Sequence, residues 1–379
     1  MTLRRRAVPL AAGGLLVILA AGCGGEGAPA PEGDLSPPAA VPGDWSVETP
    51  DALGLDVARL RDLVQRVRAG REGRLHSLLI ARHGRLAVEE YFASSSREDV
   101  HTVQSVTKSV TSLLAGIAQD DGHLDLDSPV LDYVPAYPDL RGVDAWRDAL
   151  RPRDLLAMRS DLAWSEEPYA GSDLETLNRS SGDWVLFVLD RPLRAAPDTD
   201  WQYNSGGVIV LGGIVRAAEG GDVVRFARER LFAPLGIQGE RWFQSPYDGL
   251  PHTGGGLFLR ARDMAKLGQL VLQEGQWQGH RVVSPDWLRE STRRVTGPLT
   301  FWRHPVYHGL LWWLFPMSGL VDSPPAEPDV VTAAGAGGQW IFVVRPLDLV
   351  VVFTADQENG DFLRPVDLLY ADLLPAVAR

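Results

Sequence analysis

Only one cysteine occurs in 379 residues, which excludes a disulfide framework and any thiolate metal cage. Lysine is nearly as scarce: of 37 basic residues, all but Lys108 and Lys266 are arginine. Positive charge is also the minority sign. The formal net charge of −12 argues against a nucleic-acid binder, which needs a basic face for phosphates. No run of like charges is long enough to act as an interaction tail. Long apolar runs are missing as well, which excludes a multi-span membrane protein. There is no internal repeat, no G-x-S-x-G elbow, no Walker sequence and no G-x-G-x-x-G. What remains is an ordinary globular balance, 45% hydrophobic and 23% charged, long enough for one large domain or two average ones.

The amino terminus reads as an export signal. Arg4-Arg5-Arg6 precedes an apolar stretch over 7–21, too short for a permanent span, and then Leu19-Ala20-Ala21-Gly22-Cys23. The segment resembles a bacterial lipoprotein signal, with Ala20 where leucine is usual. The resemblance implies lipidation of Cys23 and residence in the bacterial cell envelope, with membrane contact through the lipid anchor only. Residues 24–43 are rich in Gly, Pro and Ala and read as a tether. The expected organisation is therefore a signal over 1–23, a tether over 24–43 and one catalytic domain over 44–379.

Within that domain both ends carry strand-like runs and the middle is helical. A helix is expected over 55–68, with Leu60, Leu63, Val64 and Val67 on one stripe. Strands are expected over 76–82 and 85–92, turning at His83-Gly84, and over 339–345 and 348–354. Helical spacing recurs over 105–119, 183–190, 207–218, 222–231 and 361–377. The simplest assembly is an α+β fold, an antiparallel sheet from both chain ends flanked by helices, with an inserted mostly helical region at roughly 105–250.

The chemistry concentrates in Gln104-Ser105-Val106-Thr107-Lys108. Ser105 and Lys108, three apart at the start of a helix, share one face. A serine hydroxyl needs a base, and lysine can serve once burial lowers its pKa, whereas arginine cannot. The first helical turn also offers free N–H groups to an oxyanion beside Ser105. Lys266, on the amphipathic run ARDMAKLGQLVL, reads instead as a solvated surface lysine.

This S-x-x-K helix resembles that of the serine β-lactamase and penicillin-binding-protein superfamily. The chain as a whole looks like the class C β-lactamase-related serine hydrolases, including esterases and 6-aminohexanoate-oligomer hydrolases. Supporting phrases run from Leu155-Leu156-Ala157-Met158-Arg159-Ser160, through Asp183-Trp184 to Arg191-Pro192, to Trp201-Gln202-Tyr203-Asn204-Ser205. The resemblance implies a β-lactamase-like fold and a second motif at Tyr203-Asn204-Ser205. There Tyr203 would relay a proton, provided nearby cations favour its phenolate, and Ser205 would bond substrate or Lys108. It also implies a third motif on an edge strand. Two stretches compete, His252-Thr253-Gly254 and Ala336-Gly337-Gly338. The latter leads into the expected C-terminal strands and takes the role. Gln339 then supplies the second backbone N–H of the oxyanion hole, opposite Ser105. The 252–256 glycines become a turn near the cleft. Ala336 stands where many relatives carry a cation for the β-lactam carboxylate.

Other patterns point to structure. Asp121 to Asp127 lacks the glycine and glutamate of a calcium loop and reads as a helix-ending turn. His304 and His308 lack the glutamate of a zinc helix. Trp302, Tyr307, Trp312, Trp313 and Trp340 could equally line a cleft or fill the core. The expectation is a serine hydrolase acting through an acyl-enzyme on an ester or small amide, with no cofactor or metal and no assigned oligomeric state. Alternatives are β-lactamase or DD-peptidase activity, or a non-catalytic penicillin-binding-like envelope binding protein.

Overall fold

The apolar runs at the two ends of the chain find each other. The computed structural model describes residues 35, 38–299, 306–318, 329–356 and 362–377. Eight strands form the main sheet: β1 (Leu75–Arg82), β2 (Arg85–Tyr91), β3 (Thr296–Leu299), β4 (Val306–His308), β5 (Trp313–Phe315), β6 (Val330–Gly335), β7 (Gln339–Val344) and β8 (Leu349–Ala355). Their order is β2-β1-β8-β7-β6-β5-β4-β3, antiparallel throughout. The β1–β2 turn is the one foreseen. His83 and Gly84 have φ of 52° and 72°, both left-handed as a two-residue hairpin with native twist requires.

Both faces of the sheet are covered, so its strands read as nearly unbroken apolar runs. On one face Leu78, Ile80, Val351 and Phe353 pack with helix α1 (Val57–Arg68) and the C-terminal segment around Val366, Leu369 and Leu373. On the other, Leu79, Ala81, Val350 and Val352 pack with the helical region. That region holds α2 (Val106–Asp120), α3 (Ser205–Ala218) and α4 (Ala261–Leu272). Strand periodicity of two divides the residues between the faces.

Several expectations need correction. The segment 361–377 is not one helix. Arg364–Leu368 is α-helical, Leu369–Leu373 widens to a π turn and Leu374–Ala376 tightens to a 3₁₀ turn. The body begins before residue 44: within the expected tether, Leu35 is buried in the core below α1 and Pro38 is also buried. Lys266 is not a surface lysine. It is 3% exposed and pairs with Asp44 at 2.9 Å, because the chain at Asp44-Trp45 folds over α4. Trp45 is itself buried, and its Nε1 donates to Gly84 O at 2.8 Å. Asp121 and Gly122 (φ 75°) do end α2 in a turn. Cys23, Trp302 and His304 lie outside the described residues.

Candidate active site

Helix α2 runs through the middle of the molecule. The expected amphipathic helix is instead buried on every side from Val106 to Ala118. Three of its small hydroxyl residues help make that possible, because they find backbone acceptors. Thr107 Oγ1 donates to Gln104 O, Ser109 Oγ to Leu311 O and Thr111 Oγ1 to Thr253 O, at 2.6, 2.7 and 2.9 Å. Just before the helix, Gln104 adopts φ of 50°, a left-handed kink that a non-glycine residue adopts at a cost. Ser105 follows as the N-terminal cap residue, with no capping bond from its side chain. Its hydroxyl stays available for other partners.

Those partners converge. Lys108 Nζ donates to Ser105 Oγ at 2.8 Å and to Gly254 O at 2.6 Å. Burial pushes Lys108 down to about 8, against the opposing charge of Glu166. Tyr203 hydrogen-bonds Ser105, and its ring centroid lies 4.6 Å from Lys108 Nζ. That ring stacks on Trp313 at 6.0 Å. Burial first, then the Glu166 charge, pushes the Tyr203 hydroxyl well above the usual phenol range. Tyr203 therefore rests protonated, and the expected phenolate gives way to a proton donor. Asn204 caps α3 by accepting from Gly207 N at 2.8 Å, which fixes Tyr203 just ahead of that helix.

Ser205 does not reach Lys108. Its Oγ donates to Glu166 Oε2 at 3.0 Å, and its N–H donates to Glu166 Oε1. Trp164 Nε1 also donates to Glu166 Oε1, at 2.7 Å. Sequence reasoning passed over Glu166. It sits in an irregular loop, and only its place between Trp164 and Pro168 marked it.

The cluster opens into a cleft of about 1030 Å³. Both stretches that competed for the third motif line it, Gly254 to Gly256 on one side and Ala334 to Gly337 on the other. Gly338 and Gln339 do not. Gln339 opposes Gly335 across the β6–β7 hairpin, is 3% exposed and donates its side-chain amide to Ala355 O. It begins the return strand with its side chain turned to the core. Gly335 packs against the turn before α2: a Cβ there would lie 2.3 Å from Val103 O and 3.1 Å from Ser105 N. The next residue, Ala336, lines the cleft beside this contact. Of the aromatics weighed from sequence, Trp313 lines the cleft, whereas Tyr307, Trp312 and Trp340 are buried outside its lining. Trp164, Tyr169, Trp201, Phe243 and Phe258 add to the wall.

A nucleophile held between a buried lysine and a protonated tyrosine, under an open aromatic cleft, is the equipment of a serine hydrolase. The chain belongs to the beta-lactamase family, which it matches over residues 60–375. It is 30% identical over 271 residues to the 6-aminohexanoate-dimer hydrolase of Paenarthrobacter ureafaciens, covering 68% of this chain and 67% of that one. It is 29% identical over 243 residues to esterase EstB of Burkholderia gladioli, covering 56% of this chain and 60% of EstB. The fold superposes on that of a class C beta-lactamase with a TM-score of 0.66 at 16% identity, covering 85% and 96% of the two chains.

Proposed function

We propose that this serine hydrolase opens uncharged or cationic esters and small amides through an acyl-enzyme on Ser105. The observation that carries the mechanism is the 2.8 Å contact between Ser105 Oγ and a buried, easily deprotonated Lys108. Neutral Lys108 takes the Ser105 proton as Oγ attacks the carbonyl carbon. The N–H groups of Ser105 and Ala336 receive the oxyanion. Tyr203 then protonates the leaving oxygen or nitrogen and is reprotonated by Lys108. In the second half, water gives its proton to the Tyr203 oxygen as Tyr203 passes its own to neutral Lys108; the water oxygen attacks the acyl carbon, and Lys108 returns the proton to Ser105 Oγ as the acid leaves.

Charge supports the substrate class. Among the described residues no Lys or Arg lines the cleft, whereas Glu166 and Glu167 do. A β-lactam carboxylate would meet negative charge and no cation. The missing charge-assisted bond is worth about 1.5–3 kcal/mol, or roughly 10–150-fold in specificity. Hydrolysis of p-nitrophenyl acetate and butyrate should exceed that of nitrocefin in kcat/KM, and Ala336→Lys should narrow the gap. Nitrocefin turnover equal to that of both esters would overturn the assignment in favour of a β-lactamase.

We also infer an exported, lipid-anchored protein. The support is the sequence of the amino terminus and the position of its lone cysteine. Detergent partitioning and processing should both depend on Cys23, and a Cys23→Ser protein processed and membrane-bound as before would refute the anchor.

A further inference from the structure

The carboxylate beside the catalytic cluster is engaged on both oxygens. Glu166 Oε1 accepts from Trp164 Nε1 and Ser205 N, and Oε2 accepts from Ser205 Oγ. Two of these donors belong to the first residue of α3, whose leading N–H groups have no partner within the helix. Three donors hold the carboxylate in one orientation. Such a group is poorly suited to carry protons. It is well suited to be a fixed charge.

We propose that Glu166 is a positioning residue for hydrolysis, acting through Lys108 and Tyr203 as a permanent negative charge beside the nucleophile. This rests on the assignment of Ser105, Lys108 and Tyr203 above and adds to it. When Lys108 takes the serine proton, an ammonium forms in a buried site. A negative charge already in place stabilises that ammonium more than it stabilises the neutral amine before the step. Only such a difference between ground and transition state accelerates the chemistry. The same charge keeps the Tyr203 hydroxyl protonated, ready to donate to the leaving group.

Other ionisable groups near Lys108 do not supply this charge. His252, from the glycine loop, and His308, from β4, both feel Lys108, but burial pushes them down to about 4 and about 3. They are neutral where the enzyme would work. Tyr203 is neutral too. Glu166 is the acid whose charge acts on both Lys108 and Tyr203.

The chain's two lysines make a direct test practical. Lysine labelled with ¹³C at Cε gives two side-chain resonances, assigned with Lys266→Arg, and the Lys108 titration midpoint can be read without turnover. In Glu166→Gln this midpoint is expected to move to lower pH, as does the rising limb of kcat/KM for p-nitrophenyl butyrate. The plateau above the limb should fall by roughly tenfold or more, the behaviour of a base whose protonated form has lost its support. Glu166→Asp draws the charge back by one methylene and should move the midpoint less. Should the glutamine variant fail to fold, the aspartate variant still decides. Midpoint and limb at wild-type positions in every folded Glu166 variant would overturn the proposal. That result would leave the roles of Ser105 and Lys108 standing, since Lys108→Arg tests those separately.

Discussion

Lys108 is the residue on which the proposed chemistry turns, and scarcity made it visible. A chain that otherwise uses arginine had kept lysine three residues after a serine. The structure supplies the reason that composition could only suggest, a buried amine 2.8 Å from the nucleophile. Lys108→Arg keeps the charge but removes any site able to deprotonate, so kcat should fall by roughly 10²–10⁴-fold, measured on p-nitrophenyl butyrate. In the proposed mechanism the protonated form of Lys108 is inactive and the neutral form active. Activity should therefore rise with pH through a limb in kcat/KM centred near 8, the value to which burial brings the amine. A limb centred above 10 would mean that the amine is not desolvated. The other lysine misled for an instructive reason. Lys266 lies on a helix whose sequence looks half-exposed, and what buries it is Asp44, more than two hundred residues away in the chain. Glu166 was illegible for a similar reason, since a loop carboxylate acquires meaning only from the donors that fold around it.

At the scale of elements, periodicity read the helices and long strands well, including the short helix Trp184–Leu189, and missed the short strands. α1, α2, α3 and the two hairpins fall within a few residues of their expected ranges. Strands β3, β4 and β5 are three or four residues each, too short to show alternation. β6 hides in Val330-Val331-Thr332-Ala333-Ala334-Gly335, half of it small residues. That smallness is functional at its end. Gly335 lets β6 touch the turn that presents Ser105, and the next residue, Ala336, lines the cleft. Gly335→Ala would put a methyl 2.3 Å from Val103 O, and overpacking of this kind typically costs about 1–3 kcal/mol. The strain falls on the nucleophile's own turn. Ester hydrolysis should drop at least tenfold while the melting temperature falls by only a few degrees, as seen by paired activity and calorimetry. Unchanged activity would show that the β6 contact does not set the position of Ser105.

The whole molecule is held partly by a strap that the sequence had assigned to a domain edge. Asp44 faces two buried cations, Lys266 at 2.9 Å and Arg262 at 3.3 Å, and Trp45 seats beside Trp277 with centroids 5.6 Å apart. Asp44→Ala leaves both cations short of a partner, with Asp263 and Glu89 at 3.6 and 3.8 Å as partial replacements. Breaking a buried pair in this way costs about 3 kcal/mol or more, which denaturant titration of residues 35–379 would register. A loss below about 0.5 kcal/mol would show the strap to be ornamental. A separate consequence follows from the pairing of β1 with β8. Leu79 lies opposite Val352, and a ribosome delivers the first long before the second. The centre of the sheet has no partner until nearly the whole polypeptide has been made, so early folding stalls on contacts of very high sequence separation. Under the export proposed above, the delay would have a use: a narrow translocation pore admits only an unfolded thread, and this topology withholds the native state until the last strand arrives.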